Sequence, residues 1–305
     1  MSTLSLLITY YNEIEYIESC LLSIKAQSVL PDEILIYDDA SSKSPEQIIG
    51  KFPELNISYI KGDVNKGPGF ARNYLLTKAK SEFVHFHDTD DLLKPNAIEL
   101  IKGALNNDVD IVFNEIESRR NNVLVSSKVI NYSELSNYDD LLSFAILKSI
   151  LIPSITYLAK TAIEIGGFKD RSVLPQSEDY EFHLRLVSQP KKWTLINEAI
   201  VIQQLREESY SHQAANKKDV WTSAIKALML NVDNMSSSHK QLVSERIFLC
   251  GAQLYNLNEV ALAKNAFQQA KRFGNPTYIG RSKGYKIIAS TLGEINAEKI
   301  SKWIN

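Results

Sequence analysis

Four short apolar-rich runs, each ending in polar or acidic residues, constrain this chain more than any other feature. Leu4-Ser5-Leu6-Leu7-Ile8 leads into Thr9-Tyr10-Tyr11-Asn12, and Glu33-Ile34-Leu35-Ile36-Tyr37 ends in Asp38-Asp39. Ile57-Ser58-Tyr59-Ile60 is the third run, and Phe83-Val84-His85-Phe86-His87 ends in Asp88-Thr89-Asp90-Asp91. Runs of this length bounded by turn residues read as buried strands. Helical patterns separate them. Asn12 with Glu15 reads as a capping box, ahead of Ile14, Ile17, Leu21 and Ile24 at helical spacing. Ser44-Pro45 opens a short helix, Asn65-Lys66-Gly67-Pro68-Gly69 turns into a helix through Ala79, and another runs from Pro95 to near Leu105. Such alternation implies an α/β fold, Rossmann-like, with a mostly parallel sheet and helices on both faces. After the strand Asp110–Phe113 the pattern becomes mixed. It predicts a helix near Tyr138–Ile150, a strand near Ser154–Leu158, a Gly166-Gly167-Phe168 turn and a helix near Ser177–Val187. Strands near Trp193–Ile196 and Ile200–Leu205 close this part.

The acidic end of the fourth run carries chemistry. Clustered carboxylates repel each other, and a divalent cation resolves that repulsion. Hard cations such as Mg²⁺ and Mn²⁺ take oxygen ligands and keep places open for phosphates. Open α/β sheets bind ligands at strand ends of this kind. His85 and His87 share one strand face and read as packed against the sheet rather than as ligands.

The 305 residues divide into an expected α/β domain, 1–215, and a helical C-terminal extension, 216–305. The formal charge of -2 gives no reason to expect nucleic acid as a partner. Cys20 and Cys250 have no metal-type spacing and read as reduced thiols of a cytoplasmic protein, and the start of the chain reads as mature sequence. The apolar stretch from Leu141 to Ala159 is broken by Lys148 and Pro153, so a buried helix and strand are expected there. In the extension, Gly251, Leu254, Ala263, Phe267 and Ala270, followed by Pro276, resemble one tetratricopeptide-type helix pair. The extension is a candidate for self-association, for holding an acceptor, or for peripheral contact with the inner membrane face through Lys264, Lys271 and Arg272.

Taken in order, Thr9-Tyr10-Tyr11-Asn12, Asp38-Asp39-Ala40-Ser41, Asn65-x-Gly67 with Ala71-Arg72-Asn73, and Asp88-x-Asp90-Asp91 resemble glycosyltransferase family 2, inverting enzymes of GT-A fold. Gly166-Gly167-Phe168 and Ser177-Glu178-Asp179 resemble that family's Gly-Gly-Phe turn and Glu-Asp motif. The resemblance covers about residues 3–210 and implies transfer of a sugar from a nucleoside diphosphate to a hydroxyl group. A UDP-sugar is the favoured donor, and a glycan or lipid-linked acceptor in surface polysaccharide synthesis is implied. Thr9, Tyr11 and Asn12 would lie at the nucleoside, with Asp39, shared by Asp38, on the base or ribose. Asn65, Gly67, Arg72, Thr89 and Arg206 fall where the family meets the donor, with Gly67 and Gly69 serving backbone geometry. Asp90 is the first choice for direct ligation of Mn²⁺ or Mg²⁺, Asp88 places sugar or metal-bound water, and Asp91 is an alternative to either. Asp179 is the expected general base, with Glu178 about 100° away on the same helix. Arg206, Ser209, Ser211 and His212 resemble the Arg-x-x-x-Ser loop that folds over the donor in relatives. The family usually has an aliphatic residue at His87. Two other readings compete. A nucleotidyltransferase would want a glycine-rich loop where Tyr10-Tyr11-Asn12 stands, and a non-catalytic nucleotide-sugar-binding module would not need Asp88, Asp90 and Asp179.

Overall fold

The computed structural model describes residues 2–106, 108–206 and 217–304. Ser209, Ser211 and His212 of the expected donor loop lie outside the described residues. The chain divides into two compact units whose segments interleave.

The first unit comprises residues up to Leu141, Ile150–Val173 and Arg185–Arg206. Its strands are β1 (Leu4–Tyr10), β2 (Glu33–Asp38), β3 (Ile57–Lys61), β4 (Phe83–Asp88), β5 (Leu92–Leu93), β6 (Ile111–Arg120), β7 (Val123–Ser126), β8 (Ile155–Leu158) and β9 (Trp193–Gln204). Among the described residues they form one sheet in the order β3-β2-β1-β4-β8-β6-β9-β5, with β7 paired to β6. The pairs β1/β2, β2/β3, β1/β4 and β6/β9 are parallel, whereas β8 runs antiparallel to both β4 and β6. Helices α1 (Ile17–Lys25), α2 (Glu46–Ile49), α3 (Pro68–Lys78), α4 (Ala97–Ala104) and α6 (Ala159–Glu164, numbered in chain order) complete this unit. Leu4, Leu6 and Ile8 join Ile17, Leu21, Ile24, Ile98 and Ile101 in a core cluster, as the apolar runs and the helical spacing predict.

Two local expectations change. Helix α1 starts at Ile17 and has no side-chain cap, so the capping box at Asn12 does not form. Asn12 instead takes a left-handed φ of 57°, and its Oδ1 accepts from the Ser42 and Lys43 amides at 2.9 and 3.1 Å. A short amide side chain tolerates this conformation and competes for nearby backbone donors. The two strands expected near 193–205 are one strand, β9, whose register against β6 shifts around Glu115. The bulge absorbs the Asn197-Glu198 interruption that reads as a break in sequence.

The second unit comprises Leu142–Ser149, Leu174–Leu184 and the described residues from 217 onward. It therefore draws two segments from the N-terminal side of the boundary expected at 215. It holds most of α5 (Leu141–Leu147) and of α7 (Glu178–Leu186), with α8 (Lys217–Asn231), α9 (Ser237–Asn256), α10 (Val260–Phe273), α11 (Lys283–Leu292) and α12 (Glu294–Ile304). Helices α9 and α10 approach closely at Gly251, where a Cβ would stand 2.7 Å from the Phe267 ring. Gly251, Leu254, Ala263, Phe267 and Ala270 are all buried, which accounts for the small–large spacing. Among the described residues no helix is long and apolar enough to cross a membrane.

Candidate active site

Parallel pairing gathers the strand ends that the sequence marks. Tyr10 stands opposite Asp38 and Thr9 opposite Asp88, so the polar termini of β1, β2 and β4 share one edge of the sheet. Thr89 is buried, and its hydroxyl donates to the Thr9 carbonyl at 2.7 Å, tying the acidic turn to the end of β1. Tyr11, next along, is 49% exposed and leaves its ring open to a ligand.

Asp38 and Asp39 both serve the protein. The buried Asp38 accepts from the Ser41 amide and the Tyr59 hydroxyl, each at 2.8 Å. Burial first, and this bond to Asp38 second, raise the Tyr59 phenol. Asp39 accepts from the Lys66 amide at 2.9 Å and the Gly67 amide at 2.7 Å, bracing the turn that opens α3. Gly67 has a φ of 88° there, which explains glycine at that position. Asn65 Oδ1 accepts from Arg171 at 3.4 Å. A nucleotide contact by either aspartate would thus use its remaining lone pairs.

Helix α3 carries two further residues near the acidic turn, Arg72 and Asn73. Arg72 is 8% exposed, lies 3.7 Å from Asp88 Oδ1, and has its guanidinium carbon 5.5 Å from the Phe168 ring centroid. Asn73 fixes that ring: its Nδ2 donates to the Phe168 carbonyl at 2.8 Å and its Oδ1 accepts from the Phe168 amide at 2.7 Å. Gly167, at φ 60°, has no room for a Cβ beside Asn73 Oδ1. The Ala-Arg-Asn and Gly-Gly-Phe motifs are therefore two sides of one clamp.

The three aspartates of the acidic turn separate by environment. Asp88 and Asp90 side chains are 35% and 22% exposed, whereas Asp91 is buried. Asp91 Oδ1 accepts from the Gln204 amide at 3.2 Å, and burial, followed by the charge of Asp88, pushes its carboxyl well up. Burial thus sets Asp91 apart from its two half-buried neighbours. His85 and His87 are packed as anticipated. Burial lowers His85 to about 3 and His87 to about 4, so both are neutral near pH 7. His85 Nδ1 meets Thr156 Oγ1 at 2.9 Å and His87 Nε2 meets the Asp91 carbonyl at 3.1 Å.

Arg206, at the end of β9, reaches the acidic turn. Its Nη2 pairs with Asp90 Oδ2, lies 3.3 Å from Glu13 Oε1, and the guanidinium carbon sits 4.1 Å from the Tyr16 ring centroid. Glu13 and Gln204 escape a reading by motif. Glu13 had only its place beside Asn12 as a signal, and Gln204 had none. Burial and then the charge of Asp88 raise the Glu13 carboxyl, against the lowering effect of Arg206. Among the described residues Arg72 pairs with Asp88, and Arg206 with Glu13 and Asp90, two cations for three carboxylates. Among the described residues no three metal-ligating side chains form a ready-made cage. Two half-buried carboxylates with too few cations beside them are instead a donor set that suits a hard cation able to take its other oxygens from phosphate and water, so the residues fit Mg²⁺ or Mn²⁺.

Asp179 and Glu178 stand in the first turn of α7, in the second unit. Asp179 Oδ1 accepts from the Tyr180 amide at 2.7 Å. Helix α7 is gripped from several sides. The Tyr180 hydroxyl donates to the Ile146 carbonyl at 2.7 Å, and Arg246 lies 5.4 Å from the Tyr180 ring centroid. Buried Glu181 accepts from Asn231 at 3.3 Å, and Ser177 Oγ donates to the Val220 carbonyl at 3.3 Å. The helical extension therefore supports the helix that carries the expected base.

Comparisons with known proteins agree with this architecture. A teichoic acid poly(glycerol phosphate) polymerase of Staphylococcus epidermidis is 34% identical over 110 residues, which cover 35% of this chain and 15% of the polymerase. An uncharacterized glycosyltransferase of Methanocaldococcus jannaschii is 27% identical over 207 residues, 65% of this chain and 69% of that protein. The fold is that of the Staphylococcus aureus TarS fragment 1–349 crystallised with UDP, at a TM-score of 0.70 and 17% identity, covering 99% of this chain and 92% of that one. It is also similar to the Pyrobaculum calidifontis mannosyltransferase PcManGT in complex with GDP-Man and Mn²⁺, at a TM-score of 0.60 and 15% identity over 98% of this chain and 86% of that chain. Residues 5–165, more than half of the chain, match the profile of Glycosyl transferase family 2, and the chain belongs to that family.

Proposed function

We propose that this protein moves a sugar from a nucleoside-diphosphate sugar to a hydroxyl acceptor, with inversion, in the assembly of a surface polysaccharide or teichoic-acid-like polymer. The observation that carries the reading is the shared strand edge, where Thr9 stands opposite Asp88 and Tyr10 opposite Asp38, and where Glu13, Asp88 and Asp90 outnumber Arg72 and Arg206. A UDP-sugar is the favoured donor, since TarS fragments were crystallised with UDP and with UDP-GlcNAc. An Escherichia coli relative, 29% identical over 136 residues, is named for glucosyl transfer to a GlcNAc-diphosphoundecaprenol, which supports a lipid-linked acceptor here.

In this reading Tyr11 stacks on the base, and Asp39 adds a hydrogen bond to it or to the ribose while bracing the α3 turn. Asp90 and Asp88 would hold a divalent cation, and the chemistry such an ion would supply there is Lewis-acid assistance to the departing diphosphate. Arg72, set by Phe168, holds Asp88 in place. Asp179 takes the acceptor proton as its oxygen attacks the anomeric carbon, and Glu178 orients the acceptor. The test is a panel of UDP- and GDP-sugars with Mn²⁺ and a lipid-diphosphate saccharide acceptor. Nucleoside diphosphate release and the anomeric configuration of the product are read by NMR. Metal-dependent transfer with inversion is expected. Donor binding without any turnover would move the protein to the non-catalytic reading.

A further inference from the structure

The Arg206 side chain is held by more than the carboxylate the proposed cation would use. One guanidinium nitrogen is shared between Asp90 and Glu13, and the Tyr16 ring supports the guanidinium carbon from beneath. Arg206 Nε is buried and has no hydrogen-bond partner among the described residues, so a donor is left for an incoming anion. Glu13 is itself only 29% exposed and sits in the field of Asp88, so it needs the guanidinium as much as Asp90 does. A divalent cation and a guanidinium repel each other and cannot both lie against the same carboxylate oxygen. The two therefore compete for the Asp90 carboxylate, whose Oδ2 Arg206 already takes.

We infer that Glu13 is a positioning residue: it holds the Arg206 guanidinium beside the acidic strand end, so that a divalent cation takes Asp90 without releasing Arg206 from the site. Arg206 takes the carboxylate that the proposed cation would use. Once Asp90 is taken, Glu13 and Tyr16 keep the guanidinium close, with Nε and the freed nitrogen available to a diphosphate. This rests on the reading of Asp88 and Asp90 as a cation site and adds two residues, Glu13 and Tyr16, to its working parts.

The experiment titrates Mn²⁺ alone, without nucleotide, into the full chain and follows free Mn²⁺ by electron paramagnetic resonance. Arg206→Gln removes the competitor and is expected to bind Mn²⁺ about tenfold more tightly than the wild type. Glu13→Gln leaves Arg206 leaning on Asp90 alone and is expected to weaken Mn²⁺ about threefold, an effect that shrinks below about twofold in the Arg206→Gln background. Should Glu13→Gln fail to fold, Tyr16→Leu removes the other support and is read in the same two backgrounds. Equal Mn²⁺ affinity in Arg206→Gln and wild type overturns the inference. Equal weakening by Glu13→Gln in both backgrounds overturns it too, since Glu13 would then act only as one more negative charge. No Mn²⁺ binding by either protein, even with UDP added, removes the cation site itself, a different failure from the first two.

Discussion

Substituting Gly167 tests the clamp that sets Arg72. Gly167→Ala places a methyl group against Asn73 Oδ1 and 3.0 Å from its Cγ, at a residue whose φ is 60°. The left-handed conformation alone costs about 1 kcal/mol for alanine. Expelling the Asn73 side chain also breaks its bonds to the Phe168 amide and carbonyl, at 2.7 and 2.8 Å and partly buried. Two such bonds contribute roughly 1 kcal/mol each, with more lost where the freed backbone groups stay dry. Gly167→Ala is thus expected to destabilise the first unit by about 3 kcal/mol, and Asn73→Ala by about 2 kcal/mol. The double variant should lose only about 3 kcal/mol, because once the amide is gone the methyl group meets no obstacle, a coupling of about 2 kcal/mol. Urea unfolding followed at the first unit supplies the energies, and hydrogen exchange of a peptide spanning residues 165–172 reports the local opening. Additive losses, with coupling under about 0.5 kcal/mol, would show that Asn73 does not occupy the space a side chain at 167 needs.

Other perturbations follow from the same geometry. Asp90→Asn and Asp88→Asn should each abolish metal-stimulated diphosphate release while leaving circular dichroism unchanged; full activity in Asp90→Asn would remove it from the site. Asp179→Asn should lower transfer by about 10²–10⁴ with UDP-induced thermal stabilisation intact, since the loss is of proton transfer rather than donor binding. Truncation at residue 216 should yield a protein that fails to keep α7 folded, because Asn231, Val220 and Arg246 are the contacts of Glu181, Ser177 and Tyr180; a monomeric, fully active truncation would contradict that support. His85 binds its proton only below about 3 in the folded state, against 6.5 unfolded, so its contribution is present above pH 6.5 and is lost as pH falls toward 3. His85→Leu should reduce the slope of stability against pH in that window by about one proton, 1.36 kcal/mol per pH unit; an unchanged slope would refute the assignment.

Much of the geometry at this sheet edge was legible because strand, turn and helix follow one another within a few dozen residues. In Phe83–Asp88 the apolar run, its direction and its acidic end all lie in one segment, and parallel pairing then does the gathering. One misreading has a plain cause. Asn12 looks like a cap until Ser42 and Lys43 compete for its oxygen, while Asp38 and Asp39 take bonds from Tyr59, Lys66 and Gly67 that no motif announces. A polar side chain near the end of a strand has several partners within reach, and only the fold chooses among them.

Sequence by itself determined the α/β alternation, the polar strand ends and the family, since these depend on local hydrophobic period and on residue types within short segments. Tertiary structure decided the rest. It inserted β8 antiparallel between β4 and β6, buried Asp91 while leaving Asp88 and Asp90 half-buried, and drew α7 into the unit formed by the C-terminal helices. It also brought Arg206 to Glu13, 193 positions away along the chain. Contacts at such separation arise from packing and charge balance in three dimensions, and no periodicity along the chain records them.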